Sequence, residues 1–303
     1  MYEIRFPNLG IDLKHIGDGF MLGNLEIRFY GVIIAVGFIL GYCMIAMEAR
    51  RTKQDPELYL DFLLWTVVPS ILGARIYYVL FRLHDYIREG QSFKATLLGM
   101  LNIRGGGLAV YGGVIAGILT LIIFSRKRKA STMLMLDTCV MGLLTGQILG
   151  RWGNFFNREA FGAYTDSLFA MAIPVEWFGG KNYLVRTVNN GVITQEMIDY
   201  VRTFDGMEYI QVHPTFLYES LWNLGVLLII FLYRRHKKFD GEMFALYIWG
   251  YGLGRVWIEA LRTDSLMLPG ANFKVSQLLA AACVVGASIY MIVKRMKGKK
   301  NEG

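Results

Sequence analysis

The stretch Gly150-Arg-Trp-Gly-Asn-Phe-Phe-Asn-Arg-Glu159, followed by Gly162, sets a guanidinium, two amides and a carboxylate side by side at the end of an apolar run. Glycine frees the backbone to bend or to approach a neighbour closely, and the amides of Asn154 and Asn157 can serve exposed backbone groups or a ligand. Further along, Arg255, Glu259 and Arg262 are spaced i, i+4, i+7, which projects them from one face of a helix. Arg151 and Arg255 without an equal number of carboxylates would leave positive charge in a low-dielectric place. An anion is the fitting partner, and the arginine fork suits phosphate. Structural readings stand beside these: an ion network around Glu259, a helix-to-loop cap at 150–162, a helix cap at His213 before Pro214, and an interfacial aromatic at Tyr30.

Helices must position these groups. Hydrophobic residues make up 54% of the 303-residue chain and charged ones 18%, against about 45–50% and 25% in soluble domains, so the excess apolar surface faces lipid. Seven stretches approach the roughly 20 apolar residues that a span requires: Phe29–Met47, Leu58–Phe81, Gly107–Phe124, Thr132–Leu149, Thr215–Tyr233, Glu242–Ala260 and Phe273–Val293. The expected class is an all-α polytopic membrane protein of about seven transmembrane helices with a small extracytoplasmic α/β head. The implied organisation is an arm at 1–28, helices 1–4 and the signature loop at 29–162, the head at 163–212, helices 5–7 at 213–293 and a basic tail at 294–303. Within the head, Leu168–Phe178, Tyr183–Val188 and Tyr209–Val212 read as strand pieces. Small residues four apart (Gly37/Gly41, Gly113/Gly117, Gly142/Gly146/Gly150, Gly250/Gly254) suit close helix packing. No cleavable secretory signal is expected before the first span.

Basic clusters follow alternate spans: Arg50, Arg51, Lys53; Arg126–Lys129; Arg234, Arg235, Lys237, Lys238; and Lys294 to Lys300. Short basic loops lie in the cytoplasm, which puts the N-terminus and the head outside and the C-terminus inside. The net charge of +8 is then matched by anionic lipid headgroups, with no nucleic-acid partner. Cys43, Cys139 and Cys283 fall in apolar stretches without a pairing or metal-binding pattern, so no metal or cofactor is expected.

Ionisable residues inside a span are costly and mark function, and here they gather at the outer ends. Tyr30 opens helix 1, Arg75 lies late in helix 2, and Arg104 and Tyr111 flank the start of helix 3. Arg151, Asn154, Asn157 and Glu159 close helix 4, His213 and Glu219 open helix 5, and Arg255, Glu259 and Arg262 end helix 6. Only Asp61 falls clearly on the inner side. A transporter of an anionic solute or lipid, the competing class, would place polar groups at several depths. A seven-helix binding receptor is a third reading.

At these residues the sequence resembles the bacterial prolipoprotein diacylglyceryl transferase family. The segment 150–162 is similar to its GRxGNFxNxExxG signature at every fixed position. Supporting matches are Ile27–Gly31, Gly73–Phe81, Gly106-Gly107-Leu108 with Tyr111-Gly112-Gly113, His213-Pro214 with Leu217-Tyr218-Glu219, and Arg255 with Glu259 and Arg262. The resemblance implies transfer of the diacylglyceryl group of phosphatidylglycerol to the lipobox cysteine thiol of a lipoprotein precursor, forming a thioether and releasing glycerol phosphate. It implies catalytic roles for Arg151, Asn154, Glu159, Arg255, Glu259, Tyr30 and Tyr111. Substrate contacts would come from Arg151, Arg255, Arg262, Asn157, Gly162, Arg75 and His213. The nucleophile belongs to the substrate, so the enzyme needs no reactive cysteine. One departure stands out: many members carry histidine where this chain has Tyr111. A phenol with an ordinary pKa of about 10 is a poor base, which leaves Glu159 or His213 for the thiol proton and an orienting hydroxyl for Tyr111.

Overall fold

The computed structural model describes residues 3–87, 92–103, 106–188, 192–265, 267 and 273–301; Arg104 lies outside them. The elements in chain order are β1 Ile4–Phe6, β2 Ile11–Leu13, β3 Gly19–Leu22, β4 Leu25–Arg28, α1 Phe29–Arg51, α2 Pro56–Phe81, α3 Leu83–Tyr86, α4 Phe93–Leu101, α5 Val110–Lys127 and α6 Thr132–Asn157. After these come β5 Met171–Pro174, α7 Lys181–Thr187, α8 Gln195–Asp199, β6 Arg202–Phe204, β7 Met207–Val212, α9 Thr215–Tyr233, α10 Glu242–Leu261 and α11 Val275–Asn301. Among the described residues, six helices are long and apolar enough to cross a membrane: α1, α2, α5, α6, α9 with its extension to His236, and α11. The seventh expected span, α10, is a helix of 20 residues with Glu242, Arg255 and Glu259 buried or half-buried along it. The protein is therefore a multi-pass helical membrane protein, and α10, expected as a span, is not among these six.

Two compact units divide the chain, one from 1–44 with 140–303 and the other from 45–139. In the first, a five-stranded sheet runs in the order β2-β1-β5-β7-β6, every pairing antiparallel. The arm at 1–28 thus shares a sheet with segment 163–212, since Arg5 pairs with Ala172. One face of this sheet buries Ile4, Ile173, Ile210 and Val212 with Phe155, Phe161 and Phe216, so the head core grips the ends of α6 and α9. Of the residues Tyr183–Val188, expected as strand, the first five belong to α7 instead and Val188 caps it. Leu184 and Val188, four apart, both pack onto the head core, and that spacing suits a helix. Below the head, α6, α9 and α10 share a core of Leu144, Val226, Ile230 and Tyr247. A Cβ on Gly41 would stand 3.0 Å from the Gly142 carbonyl oxygen, the close backbone approach that small residues permit.

In the second unit, Asp55 caps α2 by accepting from the Glu57 amide at 2.9 Å, with Pro56 at the first helical position. Arg75, buried near the end of α2, donates to the carbonyls of Met100 (2.7 Å), Gly106 and Gly107 (both 2.8 Å) and Gly99 (2.9 Å), and to the Tyr86 hydroxyl (3.1 Å). This guanidinium anchors the segment leading into α5, whose second residue is Tyr111, an anchoring role that the sequence did not distinguish from substrate contact.

The basic helix ends hold more charge than the lone Asp61 read from sequence. Asp61 pairs with Arg128 at 2.6 Å, and buried Glu48 with Arg51 at 2.5 Å. In the first unit, fully buried Glu242 receives Arg295 at 2.6 Å. Each of these carboxylates is matched by an arginine from the adjoining basic cluster.

Candidate active site

Helix α6 continues through the signature to Asn157, where the sequence suggested a loop from about residue 150. Arg151, Asn154 and Asn157 therefore leave the helix at three-residue intervals, along one broad face. The chain reverses just beyond, with Arg158 and Ala160 both in the left-handed region (φ 51° and 57°). That reversal brings Glu159 back over the helix end. Its Oε1 accepts from Asn154 Nδ2 at 2.9 Å and from Asn157 Nδ2 at 3.2 Å, so two amides orient one exposed carboxylate. The Glu159 side chain opens on a hollow of about 460 Å³, also lined by Asp18, Arg28, Tyr30, Gly31, Asn157 and Trp177.

Tyr30 enters this site at the start of α1, its ring lying against Gly153. A Cβ at Gly153 would stand 2.5 Å from Tyr30 Cδ2, so only glycine leaves the ring in place. Gly153→Ala is expected to displace the ring and to slow turnover roughly tenfold or more, because small misplacements of a substrate-positioning group are costly. A steady-state rate assay, with membrane insertion as the control, checks it.

Below the amides lies a cluster of charges. Glu219 of α9, 2% exposed, receives Arg151 Nη2 at 2.8 Å, Arg255 Nη1 at 3.1 and 3.2 Å on its two oxygens, and Arg262 Nη1 at 3.5 Å. Arg255 also pairs with Glu259, whose other oxygen accepts from Ser276 Oγ at 2.5 Å. Arg262 meets Asp264 at 2.8 Å, and Lys274 donates to the carbonyls of Glu259, Ala260 and Arg262. Arg151 reaches upward as well, with Nη1 3.4 Å from Asn154 Oδ1.

The expectation of unpaired guanidinium groups is corrected here: each arginine has a carboxylate neighbour. The physical reason is the cost of an uncompensated charge away from water, which a buried carboxylate offsets. In the buried part of the cluster four cations (Arg151, Arg255, Arg262, Lys274) face three carboxylates (Glu219, Glu259, Asp264), and the fourth carboxylate, Glu159, stands exposed at its edge. Three guanidinium groups thus converge on the one Glu219 carboxylate.

Gly162 and His213 fasten this assembly. Gly162 N donates to the His213 carbonyl at 2.9 Å, His213 N to the Ala163 carbonyl at 3.0 Å and Ala163 N to the Leu261 carbonyl at 2.8 Å, and Gly162 forms an isolated bridge with Arg262. A Cβ on Gly162 would stand 2.8 Å from the Leu261 carbonyl oxygen, so close backbone approach explains this glycine. Burial lowers the His213 pKa, which keeps the ring neutral at pH 7, with Nδ1 3.3 Å from the Tyr218 hydroxyl.

The first unit thus brings together Tyr30, Arg151, Asn154, Asn157, Glu159, Gly162, His213, Arg255, Glu259 and Arg262, while Arg75 and Tyr111 belong to the other unit. Glu219, noted in the sequence as a residue opening a span and within a supporting family match but given no role, is the hub of the cluster. Its arginine partners lie in other helices, so no local spacing signalled it.

The sequence model of the family described as prolipoprotein diacylglyceryl transferase matches residues 19–293. The chain belongs to that family. Its similarity to individual members runs nearly end to end. It is 38% identical to the phosphatidylglycerol–prolipoprotein diacylglyceryl transferase of Listeria welshimeri over 276 residues, 91% of this chain and 88% of that one. Likeness to the enzyme of Synechococcus elongatus is 37% over 290 residues, 94% and 87% of the two chains. With transferase 1 of Clostridium perfringens it is 35% over 283 residues, 93% and 95%. Within the prolipoprotein diacylglyceryl transferase family, the signature segment of this chain is the end of α6 and the reversal that carries Glu159.

Proposed function

We propose that this protein transfers the diacylglyceryl group of phosphatidylglycerol to prolipoproteins, at the lipobox cysteine thiol, as the first step of lipoprotein maturation. The observation that carries the reading is a continuous polar chain, Glu219–Arg151–Asn154–Glu159, which joins a buried guanidinium cluster to an exposed, oriented carboxylate. An anionic phosphodiester at one end and a thiol at the other are the reactants such a chain suits.

In this mechanism Arg151 and Arg255 hold the phosphate of phosphatidylglycerol, with Arg262 behind them. The thiol sulfur attacks the glyceryl carbon that carries the phosphate, the carbon–sulfur bond forms, and the carbon–oxygen bond breaks toward phosphate. Glycerol phosphate leaves with one more negative charge than the diester had. The guanidinium groups hold that developing charge more strongly than the ground state, the interaction that lowers a barrier. Glu159 takes the thiol proton, and the local positive field favours thiolate. Glu259 keeps Arg255 in place, Tyr30 positions substrate beside Glu159, and for Tyr111 the role proposed is that of an orienting hydroxyl and not of a base. Gly162 and His213 hold the frame. In this reading the site lies in the outer half of the bacterial plasma membrane. The positive-inside distribution puts the N-terminus and head outside and the basic tail in the cytoplasm, with membrane lipids as surroundings.

The test is direct. Purified protein in detergent, given phosphatidylglycerol and a lipobox peptide, is expected to yield a thioether-linked diacylglyceryl peptide by mass spectrometry. No product under conditions where a family member works would overturn the reading.

A further inference from the structure

Arg158 occupies an open position of the signature, between Asn157 and Glu159, and its side chain turns away from both. It is 2% exposed and among the largest fully buried side chains described. Nη1 donates to the Phe156 carbonyl at 3.0 Å and Nη2 to the Ile16 carbonyl at 2.5 Å. The guanidinium carbon lies 4.2 Å from the centroid of the Trp177 ring, a cation–π distance. Its backbone stands in the left-handed region, φ 51°, which a side chain other than glycine enters at a cost.

We infer that Arg158 is the positioning residue for the wall of the hollow that Glu159 opens on. This rests on the transfer reading above and extends it. The neighbours and anchors of this side chain lead back to that wall. Asn157 and Glu159 flank it in sequence, Trp177 lies on its ring face, and Ile16 is two residues from Asp18; all four of Asn157, Glu159, Trp177 and Asp18 line the hollow. One guanidinium therefore ties the N-terminal segment, the head and the signature reversal together beneath the carboxylate. The arginine fork reaches two carbonyls in fixed directions while sitting over an indole ring, which lysine cannot match. The anchoring holds the left-handed turn, and the turn aims Glu159 at Asn154 and Asn157.

The experiment compares wild type, Arg158→Gly, Arg158→Lys, Asn157→Ala and the Arg158→Gly/Asn157→Ala double variant in the detergent assay. Glycine suits the left-handed backbone, so the first variant removes the anchor without adding strain. Arg158→Gly is expected to lower kcat at least tenfold while KM for phosphatidylglycerol, whose phosphate meets other arginines, stays within threefold. Arg158→Lys falls between the two. The double variant is expected to be no more than about threefold slower than Asn157→Ala alone, because both changes release the same carboxylate. Trp177→Phe, a milder loosening of the same anchor, covers failure of Arg158→Gly to fold, with a several-fold lower kcat and the same lack of additivity with Asn157→Ala. Losses that multiply in the double variants, or an Arg158→Gly enzyme at the wild-type kcat, would overturn the inference while leaving the transfer reading standing. A wild-type chain that forms no thioether product would remove both.

Discussion

Arg151→Ala is expected to reduce diacylglyceryl transfer by about 10²–10³-fold, the loss typical when a donor facing developing negative charge is removed, while the variant still accumulates in the membrane fraction. Arg151 touches both halves of the site, with Nη2 on Glu219 and Nη1 toward Asn154. Truncation removes a phosphate-binding fork and cuts the link to Glu159 in one step. Insertion survives because the end of α6 is held by aromatic packing: the Phe155 ring lies tilted against Phe216 at 4.8 Å and the Trp152 ring meets Phe216 edge-on at 5.4 Å. Arg151→Lys tests the fork itself. It keeps the charge and loses the bidentate geometry, so it is expected to recover only a small part of the rate. Rate measurements on membranes matched for protein content check the pair. An alanine variant within about threefold of wild type would remove Arg151 from the mechanism.

How much of this was legible in the sequence follows from how local each feature is. The spans were readable because burial in lipid requires a long apolar run, and α1 begins at Phe29 as the sequence implied. Arg255 with Glu259 was readable because a helix turns their four-residue spacing into contact. Glu219 was not, because its partner Arg255 lies 36 residues away on another helix. Strands β1 and β2 were missed for a similar reason. Each is three residues long, too short to show alternation, and β1 is recruited by β5 from the far side of four spans. The end of α6 was misjudged because Gly150 and Gly153 read as helix breakers, whereas Gly153 is the place where the Tyr30 ring crosses. Close approach, rather than a bend, is what that glycine supplies. Arg158 left no trace at all: a charged residue in a polar loop reads as exposed until the fold wraps an indole and two carbonyls around it.

The corrected charge pattern leads to the second large effect, at Glu219. A buried carboxylate that holds three guanidinium groups competes with a phosphate for the same donors, so protein stability and donor binding are coupled there. Glu219→Gln keeps the shape and removes the charge. In lipid-free detergent the three arginines then repel one another without their hub, and the variant is expected to lose about 3–5 kcal/mol of stability, the range for breaking a buried ion pair from one side. Phosphatidylglycerol should restore much of that loss, because its phosphate supplies the missing counter-charge and binds only the folded protein. The rise in Tm on adding phosphatidylglycerol is therefore expected to be larger in Glu219→Gln than in wild type, and the zwitterionic phosphatidylcholine is expected to leave the difference unchanged. Thermal unfolding in detergent with each lipid measures it. Equal shifts in both proteins would mean that the lipid phosphate does not meet these arginines. A larger shift in the variant would identify Glu219 as the group that holds the anion site together until phosphatidylglycerol displaces it.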